Sequence, residues 1–293
     1  MHATAQPAAS PGLSEAQKAA LLSLLGDEDP AVFQAVRHRI LECGPSALDW
    51  LEPHALSDQP LVRRRVRFLR RHFRRQTADA RFLAFCLGHD SMLDLEEGVW
   101  RFCQTRDPDL SEPGYRALLD LFAAELRQRI GTEPRETAIL GVINEYLFDE
   151  LGFRSPSDDV PQIAHSYLNR VIDSRTGGAL ALGLLYWLIA HRLGLPVVGV
   201  AMPDHFLCRY QTATGTCFID PGHRGRLLSR GECIRHLQQS GHGFHEEHLG
   251  PASPRRALLR LSGELHQFHA RQGPTEAAER IQRYLTALAR RAA

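Results

Sequence analysis

The chain is nearly without lysine: Lys18 stands alone among 35 basic residues, and the rest are arginine. No single function demands that bias everywhere, so it reads as an effect of base composition. Net charge is also low, at +1, which argues against a globally basic nucleic-acid binder. The six cysteines include no Cys-x-x-Cys pair and are too sparse for a disulfide scaffold. Residues 1–13 carry neither the basic nor the apolar region of a secretory signal. The longest apolar run, Gly177–Ala190, stops at His191 and Arg192, too short to span a bilayer. These absences lead us to expect a cytoplasmic protein with no membrane association. What is present, 43% apolar and 24% charged residues over 293 positions, describes an ordinary globular chain of about two domains at ~150 residues each.

Residues 1–12, with Pro7 and Pro11 among small side chains, read as a disordered tail. Over 13–90, Leu25–Val32 returns thirty residues later as His54–Val62; each copy runs from an acidic or polar turn into a proline suited to a first helical turn. That period suggests stacked HEAT-like helical hairpins. Further helices are expected over Tyr115–Ile130 and Pro134–Leu151, the second capped by Gly152, followed by a loop over Ser155–Pro161. Ala179–Leu193 is a helix apolar nearly all round, hence buried. Val197–Met202, His205–Tyr210 and Cys217–Asp220 read as strands, the last two joined by a turn at Thr214-Gly215. Residues 251–293 form a helical hairpin broken at Gly273-Pro274. The fold class is therefore α+β, mostly α, with a buried helix on a small antiparallel sheet.

His205 opens one strand and Asp220 ends the next. A register with paired residue numbers summing to about 425 sets them opposite each other, and a shift of two keeps both on one face. An imidazole beside a carboxylate is the base-and-orienter half of a nucleophilic triad. Spacing alone favours the plainer reading, in which the two groups simply satisfy each other at a sheet edge. In the same register Cys208 lies on the opposite face, across from Cys217, and both read as buried small hydrophobes.

Several short motifs occur in order: Leu93-Asp-Leu-Glu-Glu97, Asn144-Glu-Tyr-Leu-Phe148, Leu151-Gly-Phe153, Tyr167-Leu-Asn-Arg170, Arg175 to Tyr186, Leu193-Gly-Leu-Pro196, Pro203-Asp-His-Phe206 and Ile219-Asp-Pro221. Together they resemble the SirB family of bacterial transglutaminase-like proteins over roughly residues 90–275. The resemblance implies a papain-like core within 91–250. In active members of that superfamily a Cys heads the core helix, a His opens the next strand and an Asp ends the one after. His205 and Asp220 match two of these positions, and the nucleophile position falls on Ala179, which has no reacting atom. The resemblance thus implies a non-catalytic or weakly active protein that binds a protein or peptide. An enzymatic alternative is a hydrolase or acyltransferase using the His205–Asp220 dyad, with Ser174 or Thr176 as conceivable substitute hydroxyls.

Two other constellations call for a reading. His242, His245 and His248, with His236 nearby, follow neither zinc-protease pattern; no metal or cofactor is assigned. Arg63–Arg75 holds eight arginines around a stripe of Val66, Leu69 and Phe73. Such a run usually forms a solvated helix face. The alternative is an adaptor surface through Arg63, Arg64, Arg67 and Arg71 for an acidic protein or, less in keeping with the missing base-reading motifs, nucleic acid.

Overall fold

A computed structural model of the chain describes residues 13–131, 136–156, 163–212, 215–271, 273 and 275–290. The expected tail at 1–12, much of the 155–161 loop, and the turn positions Thr214 and Pro274 lie outside the described residues. The chain divides into two compact units, Met1–Asp79 and Ala80–Ala293.

The first unit is helical. It contains α1 (Glu15–Leu24), α2 (Pro30–Glu42), the short α3 (Ala47–Leu51) and most of α4 (Pro60–Cys86). Pro30 and Pro60 each open their helix, where a missing N–H costs nothing. Asp29 caps α2 by accepting from the Ala31 N–H at 2.8 Å. Val62, Val66, Leu69 and Phe73 recur at helical spacing on α4 and close a core with Leu25, Ile40 and Leu51.

The second unit carries the sheet. Its helices are α5 (Leu95–Arg106), α6 (Glu112–Ile130), α7 (Glu136–Asn144), α8 (Leu168–Ser174), α9 (Ala179–Arg192), α10 (Arg230–Gln239), α11 (Pro254–Ala270) and α12 (Glu276–Ala289). The helix expected to run on to Leu151 loosens after Asn144 into one wide π-type turn, Glu145–Glu150, before Gly152 reverses the chain at φ 72°. Strands β1 (Val197–Met202), β2 (His205–Gln211), β3 (Thr216–Asp220) and β4 (Arg226–Leu228) form one antiparallel sheet in sequence order. The mostly helical α+β class is as expected; the three-residue β4 and the capped α10 are additions.

Eleven consecutive residues of α9, Leu180 to Ala190, are buried. A helix with no polar face must be surrounded, and α9 is packed against α6, α8, β1, β2 and the Pro221–His223 turn. Its approach to the sheet is set by two glycines. A Cβ on Gly183 would lie 2.4 Å from the Phe206 ring, and one on Gly199 would lie 2.6 Å from Phe206 and 2.7 Å from Trp187. Phe206 thus occupies the space those two side chains vacate. The other sheet face is covered too: Val200, Met202, Leu207 and Phe218 pack with Cys233 and Leu237 of α10 and with Leu249.

One expectation about register is corrected. β2 pairs with β3 as Cys208↔Ile219, Arg209↔Phe218, Tyr210↔Cys217 and Gln211↔Thr216. The numbers sum to 427 rather than 425, so Cys208 does not face Cys217. The Thr212 N–H donates to Gly215 O at 2.9 Å, which carries the same register one pair beyond Gln211↔Thr216. A displacement of two leaves alternation intact.

Candidate functional site

His205 sits at the first position of β2, directly across from Met202 in the β1–β2 hairpin. Asp220 ends β3, where it is buried, with 7% of its side chain exposed. In the observed register the two are diagonal neighbours rather than direct partners, a separation that a long side chain bridges. His205 Nε2 donates to Asp220 Oδ2 at 2.9 Å. Because a carboxylate only accepts, the contact places a ring proton on Nε2.

A second imidazole joins the pair. The chain leaves β3 through a tight turn, Pro221–His223, that Asp220 itself caps: its Oδ1 accepts from the His223 N–H at 3.2 Å. The turn brings His223 Nδ1 to within 2.8 Å of the same Oδ2. Arg224 (φ 55°) and Gly225 (φ 73°) then swing the backbone through left-handed conformations. Asn144 Nδ2 donates to Gly225 O at 2.7 Å, and Ser155 Oγ donates to Gly222 O at 2.7 Å, fastening the turn from two sides. Burial pushes the Asp220 carboxyl up, but the hydrogen bonds and charge of His205 and His223 outweigh it and hold the group below its ordinary value. The carboxylate is therefore anionic at neutral pH.

The group borders an open cleft of about 440 Å³ that also includes Glu232, Cys233 and His236. Glu232 is engaged by the α10 cap, where its Oε2 accepts from Ser229 N–H and Oγ at 2.8 Å each. Cys233 is buried, and its thiol is pushed up to about 11, first by burial and then by the neighbouring Glu232 charge. Such a thiol is protonated at neutral pH and is a poor nucleophile. Burial likewise pushes up the thiols of Cys86, Cys103, Cys208 and Cys217.

Ala179 is the first residue of α9, after Gly178, which offers no side-chain cap. A Cβ added to Gly222 would stand 3.0 Å from the Ala179 methyl and 3.2 Å from Asp220 Oδ1. The helix tip therefore abuts the turn that carries the carboxylate. Ser174 Oγ donates to Arg170 O at 2.7 Å, and Thr176 Oγ1 donates to Ser174 O at 3.3 Å; both hydroxyls serve the backbone around the end of α8.

The histidine loop does not converge. His242 pairs with Asp204, while His245 and His248 meet edge to face, with ring centroids 5.2 Å apart. His236 turns instead toward His205, ring centroids 5.7 Å apart. The four nominated arginines lie on α4 in the first unit. Arg63 and Arg67 donate to the carbonyls of Ser57 (2.7 Å) and Ala55 (3.3 Å), while Arg64 and Arg71 are exposed. His223 was missed by sequence reasoning; its signal was an Asp-Pro-Gly-His run in which a turn folds residue i+3 back onto the Asp.

Residues 114–263 match the family model described as the transglutaminase-like superfamily. A UPF0162 protein of Pseudomonas aeruginosa is 32% identical over 200 residues, covering 66% of this chain and 71% of that protein. A UPF0162 protein of Xylella fastidiosa (strain 9a5c) is 28% identical over 197 residues, covering 65% and 70%. F-box only protein 21 of Mus musculus is 30% identical over 146 residues, covering 47% of this chain but 23% of that longer protein. No solved structure matches the chain.

Proposed function

This chain belongs to the transglutaminase-like superfamily, and on that premise we propose that it has given up thiol-based acyl transfer and uses its cleft to bind a peptide or protein. The motif set resembling the SirB family is consistent with this reading. The observation that carries it is the methyl of Ala179 at the tip of α9, beside the turn that holds the Asp220 carboxylate, at the place where the family resemblance sets the nucleophile. Covalent acyl transfer needs a nucleophile within reach of its base. Here the base and its orienter remain, and burial keeps the Cys233 thiol of the same cleft protonated.

The test is to supply what is missing. Ala179→Cys places a thiol at an uncapped helix N-terminus, where the macrodipole favours thiolate. Iodoacetamide should alkylate it faster than any native cysteine at pH 7, and His205→Ala in that background should slow the reaction. A wild-type protein with a cysteine-dependent amide-cleaving or transamidating activity that His205→Ala abolishes would overturn the proposal.

One observation favours a second reading. With its Nε2 proton directed at Asp220, the unprotonated form of His205 has Nδ1 as an acceptor able to activate water on an ester. General-base assistance of this kind contributes about 10²–10⁴-fold. Equal hydrolysis of an activated ester by wild type and His205→Ala dismisses it.

A further inference from the structure

The His205–Asp220–His223 group has a property that a base-and-orienter pair does not need. Orienting one imidazole takes one ring on one carboxylate. Here two rings, from different segments, converge on the same oxygen at 2.9 and 2.8 Å. The three side chains offer two ring nitrogens and a carboxylate oxygen, all within 4.8 Å of one another, and among the described residues this is the one such grouping.

We propose that His205 Nε2, Asp220 Oδ2 and His223 Nδ1 form a binding site for a divalent first-row transition cation, with Zn²⁺ as the representative ion. The donor set, two imidazoles and one carboxylate, suits borderline cations rather than the all-oxygen preference of Mg²⁺ or Ca²⁺. Ligand atoms ~2.0–2.1 Å from a metal stand roughly 2.9 Å apart at a right angle and ~3.4 Å apart in a tetrahedron. The two nitrogen-to-Oδ2 separations, 2.9 and 2.8 Å, need little opening to admit the ion, and the two ring nitrogens already lie within 4.8 Å of each other. On binding, each neutral imidazole turns a lone pair to the metal, and its proton resides on the other ring nitrogen. The proton that each ligating nitrogen directs at Asp220 Oδ2 in the metal-free state is lost to solvent and one is taken up at the other ring nitrogen, so the net proton count is unchanged and the carboxylate is already anionic.

The second imidazole also reaches this position by a built route. Asp220 fixes the His223 backbone through Oδ1, which leaves Oδ2 for the ion. Arg224 and Gly225 close the turn in left-handed conformations, and Asn144 and Ser155 tie it down. A Cβ at Gly225 would meet the Asn144 amide at 2.3 Å, so the clamp depends on glycine there. Beside the group lie the open cleft and the His236 ring, which leaves coordination positions for water, His236 or a group on a bound partner. Glu232 does not compete, since its carboxylate is held in the α10 cap.

This inference goes beyond the reading above and is read out separately: metal uptake is measured on wild type without any thiol step, and Ala179→Cys alkylation is measured in chelator. The full chain, stripped with chelator, is titrated with Zn²⁺ by calorimetry and with Co²⁺ by visible absorption. We expect one ion per chain, with ligand-field bands for Co²⁺. His223→Ala should weaken binding at least about tenfold, as should Asp220→Asn. His242→Ala, in the loop histidine paired with Asp204, should leave it unchanged. Because the His223 side chain is 70% exposed, its variant keeps the test open if Asp220→Asn fails to fold. Absence of stoichiometric uptake, or uptake undiminished in His223→Ala, overturns the proposal.

Discussion

Asp220 concentrates the residue-scale argument, since one carboxylate receives two imidazoles and caps the turn that delivers one of them. Hydrogen bonds to a charged group are each worth about 1.5–3 kcal/mol, so Asp220→Asn should destabilise the second unit by at least that much at pH 7. The sign of its pH dependence follows from the lowered folded value. A carboxyl held below its ordinary value of about 3.9 contributes stability above that pH and loses it as pH falls through the folded value. The stability gap between wild type and Asp220→Asn should therefore be full from about pH 5 upward and shrink toward pH 3, measured by urea unfolding at both ends. A gap that widened on acidification would contradict the assignment. The pairing of His205 with Asp220 was legible because strand alternation survives a register error of two. His223 was not, because a turn's path depends on caps and left-handed residues that no periodicity reports.

At the scale of elements, α9 was readable almost to the residue: an apolar run bounded by Gly178 and Gly194 leaves little freedom. What the run conceals is how close the helix comes to its sheet. Gly183 and Gly199 look like interruptions in otherwise good helix and strand patterns, yet both exist to admit Phe206. Gly183→Ala and Gly199→Ala should each destabilise the protein by about 1–3 kcal/mol through overpacking, despite alanine's better helix propensity in the first case. Thermal melts check this, and Phe206→Leu should relieve part of the penalty in either background. The opposite failure of legibility occurs at Glu145–Glu150, where an apparently continuous helical pattern hides a change of pitch. Short elements such as β4, three residues long, exist only because a neighbouring strand pairs with them.

Across the whole molecule, each unit has its own apolar core, and the boundary falls within a continuous helix between Asp79 and Ala80. Charge patterning alone left the arginine run open between a solvated face and a binding face. Several of its members instead tie segments of the first unit together. Arg65 donates to Leu25 O at 3.1 Å and stacks 4.3 Å above Phe33, and Arg74 bonds Glu52 at 2.8 Å. Exposed Arg64 and Arg71 are the positions from which an acidic partner would be sought. The core beneath them is the more decisive test: Phe73 is fully buried, and Phe73→Ala should cost about 3–5 kcal/mol. Hydrogen exchange should report that loss as faster amide exchange in residues 25–73. Among the described residues no helix is long and apolar enough to cross a membrane.

The enclosure of α9 has an implication for how such a scaffold can change occupation. Its middle is walled in on every side, so substitutions there trade volume and little else. Chemistry can be rewritten only where the rod emerges, at its leading end beside the carboxylate turn. On the proposed reading, sulfur can be lost at that tip while the architecture stays intact, and new contacts come from the loops that gather around it.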